Sequence, residues 1–162
     1  MKHFISGETM PGSGILTIRA YRDKLSANER MDGLTPPQVA QELKNFAQTT
    51  LRLIAEMPPA RNKELRLTIG DLKAMAHLGD YYAEKILGAV ELALFEKTGK
   101  LEQQAAAVKH LEAALGHWKK YATAATSQYR PQLLTRIGYV DLTALTIEVE
   151  RDIEIARGGG NR

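Results

Sequence analysis

NKELRLTIGDLKAMAHLGDYYAEKILGAVELALFEKTGKLEQQAAAVKHLEAALGHWKKYATAA, residues 62–125, is the stretch from which the rest of the chain can be read outward. Its first half places apolar or small side chains at Leu65, Ile69, Leu72, Ala76, Gly79, Ala83, Ile86, Val90 and Ala93. Steps of three and four put these on one face of a helix. The second half answers with Leu101, Ala105, Val108, Leu111, Leu115, Trp118, Ala122 and Ala125. Between them, Lys97-Thr98-Gly99-Lys100 reads as a tight reversal. Neither seam can be hidden from water alone, so the two helices are expected to pack antiparallel across that turn. Gly70, Gly79 and Gly88 interrupt the first helix, each at a cost of about 1 kcal/mol against alanine. Close helix approach is the expected reason, with Ala76, Gly79 and Ala83 as a strip of small residues. The apolar period passes Gly79-Asp80 without a phase shift, so one continuous helix is expected.

Towards the N-terminus, Thr35-Pro36-Pro37-Gln38 marks a helix start. Thr35 and Gln38 have the spacing of a capping box, and Pro36 sits where a missing N–H costs nothing. Val39, Leu43, Phe46, Thr50, Leu53 and Met57 then form one stripe, stopped by Pro58-Pro59. Residues 1–34 read as an irregular N-terminal segment. It holds either a short helix over 15–25 or a strand over 15–18. Towards the C-terminus, Pro131 ends the hairpin's second helix. Leu133, Leu134 and Ile137 are expected to be buried against the bundle, and Gly138 to turn. Asp141 is expected to cap a last helix carrying Leu142, Leu145, Val149, Ile153 and Ala156. Residues 158–162 read as a disordered tail. The expected fold is all-α, an antiparallel bundle of four main helices at about 36–57, 62–97, 101–125 and 141–157. Residues 35–157 form its single domain.

Composition narrows the function classes. The chain of 162 residues is long enough to bury a core of its own. It has no cysteine, which excludes disulfides, thiolate zinc sites and a cysteine nucleophile. Its 22 Lys and Arg are interleaved with 19 Asp and Glu, and the longest basic cluster is Lys119-Lys120. That pattern argues against a nucleic-acid interface. Phe4-Ile5 gives way at once to Ser6-Gly7-Glu8, so no signal peptide is read, and no segment is apolar enough to span a bilayer.

Few residues invite a chemical reading. His110 and His117 share a helix face, but Glu112 lies on another, and no Glu-x-x-His pair repeats on two helices. They read as surface or boundary histidines, and no metal or cofactor is expected. Glu148, Glu150, Asp152 and Glu154 crowd the last helix and read as its solvated face rather than as an acid–base pair. Trp118 falls on the seam, where core packing is its expected role. Tyr81, Tyr82, Tyr121, Tyr129 and Tyr139 are candidates to join it at one end of the bundle. If side chains of this chain touch a carbohydrate or a partner, the candidates are Trp118, Tyr121, Tyr129 and Arg130. There, rings and a cation meet beside the loop after the third long helix.

Four passages carry a family resemblance: LTPPQVAQEL (34–43), KELRLTIGDLKAMAHLGDYYAEKI (63–86), HLEAALGHWKKY (110–121) and RIGYVD (136–141). They resemble the C-terminal helical region of large secreted carbohydrate-active proteins of polysaccharide-degrading bacteria. Those are described as glycoside-hydrolase-like or carbohydrate-binding family 6 proteins. The resemblance runs from about Thr35 onward and carries over no catalytic residue. It implies a non-catalytic accessory or scaffold domain that packs on a neighbouring domain, with a glycan as a further contact and a periplasmic or secreted location. Without it, the residues read as an autonomous helical protein–protein interaction module, cytoplasmic by default. A helical enzyme is the least favoured reading, for want of convergent polar groups. Residues 97–115 also resemble a tetratricopeptide unit, but the flanking helices are too long and no second copy follows.

Overall fold

The structure, a computed structural model, describes residues 1–159; the end of the tail, residues 160–162, lies outside the described residues. Six helices and a small hairpin follow in order: α1 Lys2–Ser6, α2 Ile18–Ser26, α3 Pro36–Glu56, α4 Lys63–Thr98, α5 Leu101–Thr126, β1 Gln132–Leu134, β2 Gly138–Val140 and α6 Thr146–Ala156. The fold is all-α, with α4 and α5 as a packed antiparallel hairpin at its centre. Gly99 turns the chain with φ 71°, a left-handed conformation that glycine enters freely, and its N–H closes on the Phe95 carbonyl at 2.8 Å. Asn62 opens α4 by accepting the Leu65 N–H at 2.7 Å. Thr35 opens α3, where Gln38 Oε1 accepts both its backbone N–H at 2.9 Å and its hydroxyl at 2.8 Å.

α4 is one unbroken helix of 36 residues, about 54 Å long at the usual rise, and it is buried on more than one side. Nine residues are two and a half turns, so Gly70 and Gly88 point one way and Gly79 the other. A Cβ on Gly88 would lie 2.8 Å from Leu111 Cγ of α5, whereas one on Gly79 would lie 3.7 Å from Ala47 Cβ of α3. The regular glycines thus serve two neighbours, and the single seam read from the sequence is really two. The seam is also shorter than expected. Residues 63–68 are exposed, Leu65 stays 40% accessible, and Leu72, at 42%, only edges a shallow groove with Leu43, Phe46 and Thr50 of α3.

Two clusters make the core. Ile5, Ile18, Val90, Leu92, Leu94, Leu111 and Ile153 gather near the α4–α5 turn. Tyr81, Ala114, Trp118 and Val149 gather further along. The first cluster corrects the reading of the N-terminus: α1 is a short helix, not irregular chain. A single turn is not stable on its own, and here burial of Ile5 and packing of Phe4 hold it. The C-terminal connection is a second correction. It forms an antiparallel hairpin in which Gln132, Leu133 and Leu134 face Val140, Tyr139 and Gly138, and Leu133 and Ile137 are exposed rather than buried. Asp141 caps a turn instead of the last helix. Its Oδ1 accepts the N–H groups of Thr143 and Ala144, and α6 starts at Thr146.

Charges inside the bundle pin its outer helices. Glu84 of α4 receives Lys44 of α3 at 2.6 Å and meets His110 of α5 at 2.6 Å. Burial pushes the Glu84 carboxyl up, but the hydrogen bonds from Lys44 and His110 outweigh it and hold the pKa below the ordinary value. Asp152 corrects the reading of α6 as a uniformly solvated acidic face. It is buried and lies 2.8 Å from both Lys85 Nζ and the Met1 amino group. His110 and His117 are boundary residues, and His117 Nδ1 lies 3.6 Å from the buried Asp80 carboxylate.

Candidate functional site

Pro131 cannot continue α5, so the chain leaves the helix at Ser127 and turns back across α4. This exit builds a groove of about 480 Å³, walled by α4, the end of α5 and the inner face of the hairpin. Ala74, Met75, Leu78, Ala125, Leu134, Val140 and Leu142 make it mainly apolar, with Asp71, Tyr121, Tyr129 and Arg130 as its main polar or aromatic groups. Its size and lining are those of a binding groove rather than a packing defect.

The polar end of the groove is organised by Asp71. Its Oδ1 accepts the Tyr129 hydroxyl at 2.7 Å and the Gln128 amide at 2.8 Å. Gly70 makes room for this: a Cβ there would lie 2.6 Å from the Gln128 amide group. The hydrogen bond to the Asp71 carboxylate raises the Tyr129 phenol above its ordinary pKa. Among the described residues Asp71 is the only carboxylate lining the groove, and two donors already engage it. The paired acid and base that glycoside hydrolysis uses do not meet there.

Three of the four residues singled out in the sequence, Tyr121, Tyr129 and Arg130, line this groove. Trp118 does not reach it. At 8% exposure, it stands behind Tyr121, with ring centroids 5.3 Å apart, and touches Tyr81 on its other side at 5.2 Å. Its Nε1 donates to Thr146 Oγ1 at 3.1 Å, tying α5 to α6. Trp118 therefore supports the wall from within and has no face free to stack on a sugar. Of the other tyrosines, Tyr82 packs on Tyr81, while Tyr139 stands out on the hairpin at 70% exposure.

Asp71, Met75 and Val140 are not singled out by the sequence, and Leu134 is singled out there only as a buried side chain, not as a wall of a groove. A signal for the hairpin exists in the chain, since β-branched and aromatic Tyr139 and Val140 follow a glycine after an apolar run. A charge signal exists too. Residues 117–140 carry Lys119, Lys120, Arg130 and Arg136 and no carboxylate, a local bias that whole-chain interleaving conceals.

No group of three or more metal-capable side chains converges among the described residues. Among the described residues, no helix is long and apolar enough to cross a membrane. Comparison with family models, curated proteins and solved structures finds no match to this chain.

Proposed function

We propose that this chain is a non-catalytic docking domain of a larger carbohydrate-processing protein, and that it seats a neighbouring domain on the face around the hairpin and groove. One observation carries the reading. Large apolar side chains stand uncovered there: Leu133 at 77%, Ile137 at 73%, Tyr139 at 70%, Met75 at 66% and Phe46 at 71%. Met75 lines both the main groove and the shallow one between α3 and α4 that holds Phe46, so the two regions are continuous. Leu133, Ile137 and Tyr139 line neither groove and stand out on the hairpin beside them; uncovered apolar surface of this extent is the mark of an interaction site. The resemblance to helical regions of carbohydrate-active proteins supports the choice of a domain neighbour. The alternative, an autonomous interaction module, uses the same face with a separate protein.

A photo-reactive phenylalanine analogue at Tyr139 in cells distinguishes the two, with Glu102 at the opposite end of the molecule as control. A cross-link within one polypeptide is expected for a domain neighbour, and a cross-link to a second polypeptide for the alternative. No product above the Glu102 control would overturn both.

Glycan contact is a second reading, favoured by the Tyr121 and Tyr129 rings sharing a groove with Asp71 and Arg130. A glycan array should then show binding that Tyr129→Ala abolishes without lowering the melting temperature. Binding that survives this substitution would remove the groove as its seat.

A further inference from the structure

The hairpin has two apolar faces, and the fold covers one. Leu134 and Val140 line the groove, while Leu133 and Tyr139, directly opposite each other in the register, are exposed. Two strands of three residues are marginal in water. Their outer edges offer unpaired N–H and C=O groups, and no third strand joins them among the described residues. An extended segment added at such an edge pairs through its backbone, and its alternate side chains fall on the same two faces.

Charge selects the occupant. Lys119 is 3.6 Å from Glu150, but Arg130 and Arg136 make no salt bridge among the described residues. Arg130 stands at the groove and Arg136 in the hairpin loop. Asp71 in the groove is already engaged by Tyr129 and Gln128, and Asp141 at the end of the hairpin accepts the Thr143 and Ala144 N–H groups. A second copy of this face would set like cations against each other, which disfavours self-pairing. Arg136 also holds φ 71°, a conformation that suits glycine and costs arginine strain.

We propose that the occupant is an extended acidic segment of a protein. It adds as a third strand to the hairpin, places an apolar side chain in the groove between Met75 and Leu134, and sets its carboxylates against Arg130 and Arg136. This rests on the docking role above and adds the chemistry of what docks.

The test is selection of a displayed library of random short peptides on the 162-residue chain. Anisotropy titrations of the best peptide and of its lysine-for-acid analogue follow. The expected pool is rich in Asp and Glu flanking an apolar residue. Arg136→Gly should weaken the best peptide about fivefold while leaving the melting temperature unchanged or raised, since glycine relieves the strained φ. Amide exchange in the hairpin should slow in the complex. An unbiased pool, equal binding of the lysine analogue or indifference to Arg136→Gly would overturn the proposal. So would equally tight binding of phosphatidylglycerol vesicles or polygalacturonate with the same dependence on Arg136, which marks an unspecific anion surface. If such a result came with a Tyr139 cross-link, the acidic strand would fall and the docking role would stand. Without the cross-link, both would fall.

Discussion

A methyl group added at Gly88 would meet Leu111 Cγ at 2.8 Å and the Ala107 carbonyl oxygen at 3.3 Å, whereas one added at Gly116 would meet nothing within 4 Å. Leu111 is 1% exposed and has nowhere to move. Overpacking should therefore outweigh the gain in helix propensity, and Gly88→Ala should cost about 1–2 kcal/mol. Gly116→Ala should add about 0.5–1 kcal/mol. Urea unfolding of both variants checks the pair; equal effects would mean that the α4–α5 approach is looser than described. Trp118 gives a second test at this scale. Its ring is enclosed by Tyr81, Tyr121 and Val149, and its N–H is bonded to Thr146. Trp118→Ala should cost about 3–5 kcal/mol of stability. A Trp118→Ala protein that melts normally but loses a ligand would contradict the core role.

Among the elements, α4 and its neighbours should respond to acid in two stages. Burial lowers the His77 pKa, and Lys120 and Lys73 lower it further; Asp80 raises it and His117 lowers it, both by less. His77 Nδ1 is also buried without a partner. A depressed histidine binds fewer protons folded than unfolded, so its contribution is whole above its ordinary value of 6.5 and fades as pH falls below that. Glu84, also depressed, keeps its contribution above its ordinary 4.5 and loses it as pH falls further. Urea midpoints measured down through these windows should decline twice. His77→Gln should flatten the upper decline and leave the lower one. The three long helices are legible in the sequence because each repeats its apolar spacing over several turns and begins or ends on a recognisable residue: Thr35, Asn62, Gly99, Pro131; the last helix is legible by its spacing but not by its start. The hairpin is legible only faintly, through Gly138, Tyr139 and Val140, because strands of three residues are too short to show an alternation. The groove is half legible: Tyr129 and Arg130 announce themselves beside a helix stop. Asp71 joins them only because the chain folds back across Gly70, a meeting that no local pattern encodes.

Across the whole molecule, charge is sorted along the chain more than its totals suggest. Residues 117–140 hold cations without acids, while residues 141–154 hold Asp141, Glu148, Glu150, Asp152 and Glu154 against Arg151 alone. The basic segment carries the uncovered apolar face, and the acidic one is folded into the bundle through Asp152 and Lys85. Within the basic segment Lys119 meets Glu150, while Arg130 and Arg136 make no salt bridge among the described residues and are left to meet something else. The turn at Gly99 and Lys100 has a kinetic consequence as well. Because it joins the two longest helices through so short a connection, it makes their contacts more local than those of any other pair of long helices. Short loops close first, so this pair should form the nucleus onto which α3 and α6 later condense. Gly99→Ala, which forces a side chain into φ 71°, should slow refolding and barely change the unfolding rate. Ala47→Gly on α3 should do the reverse. Stopped-flow chevrons in which both variants move the same limb would show that assembly starts elsewhere.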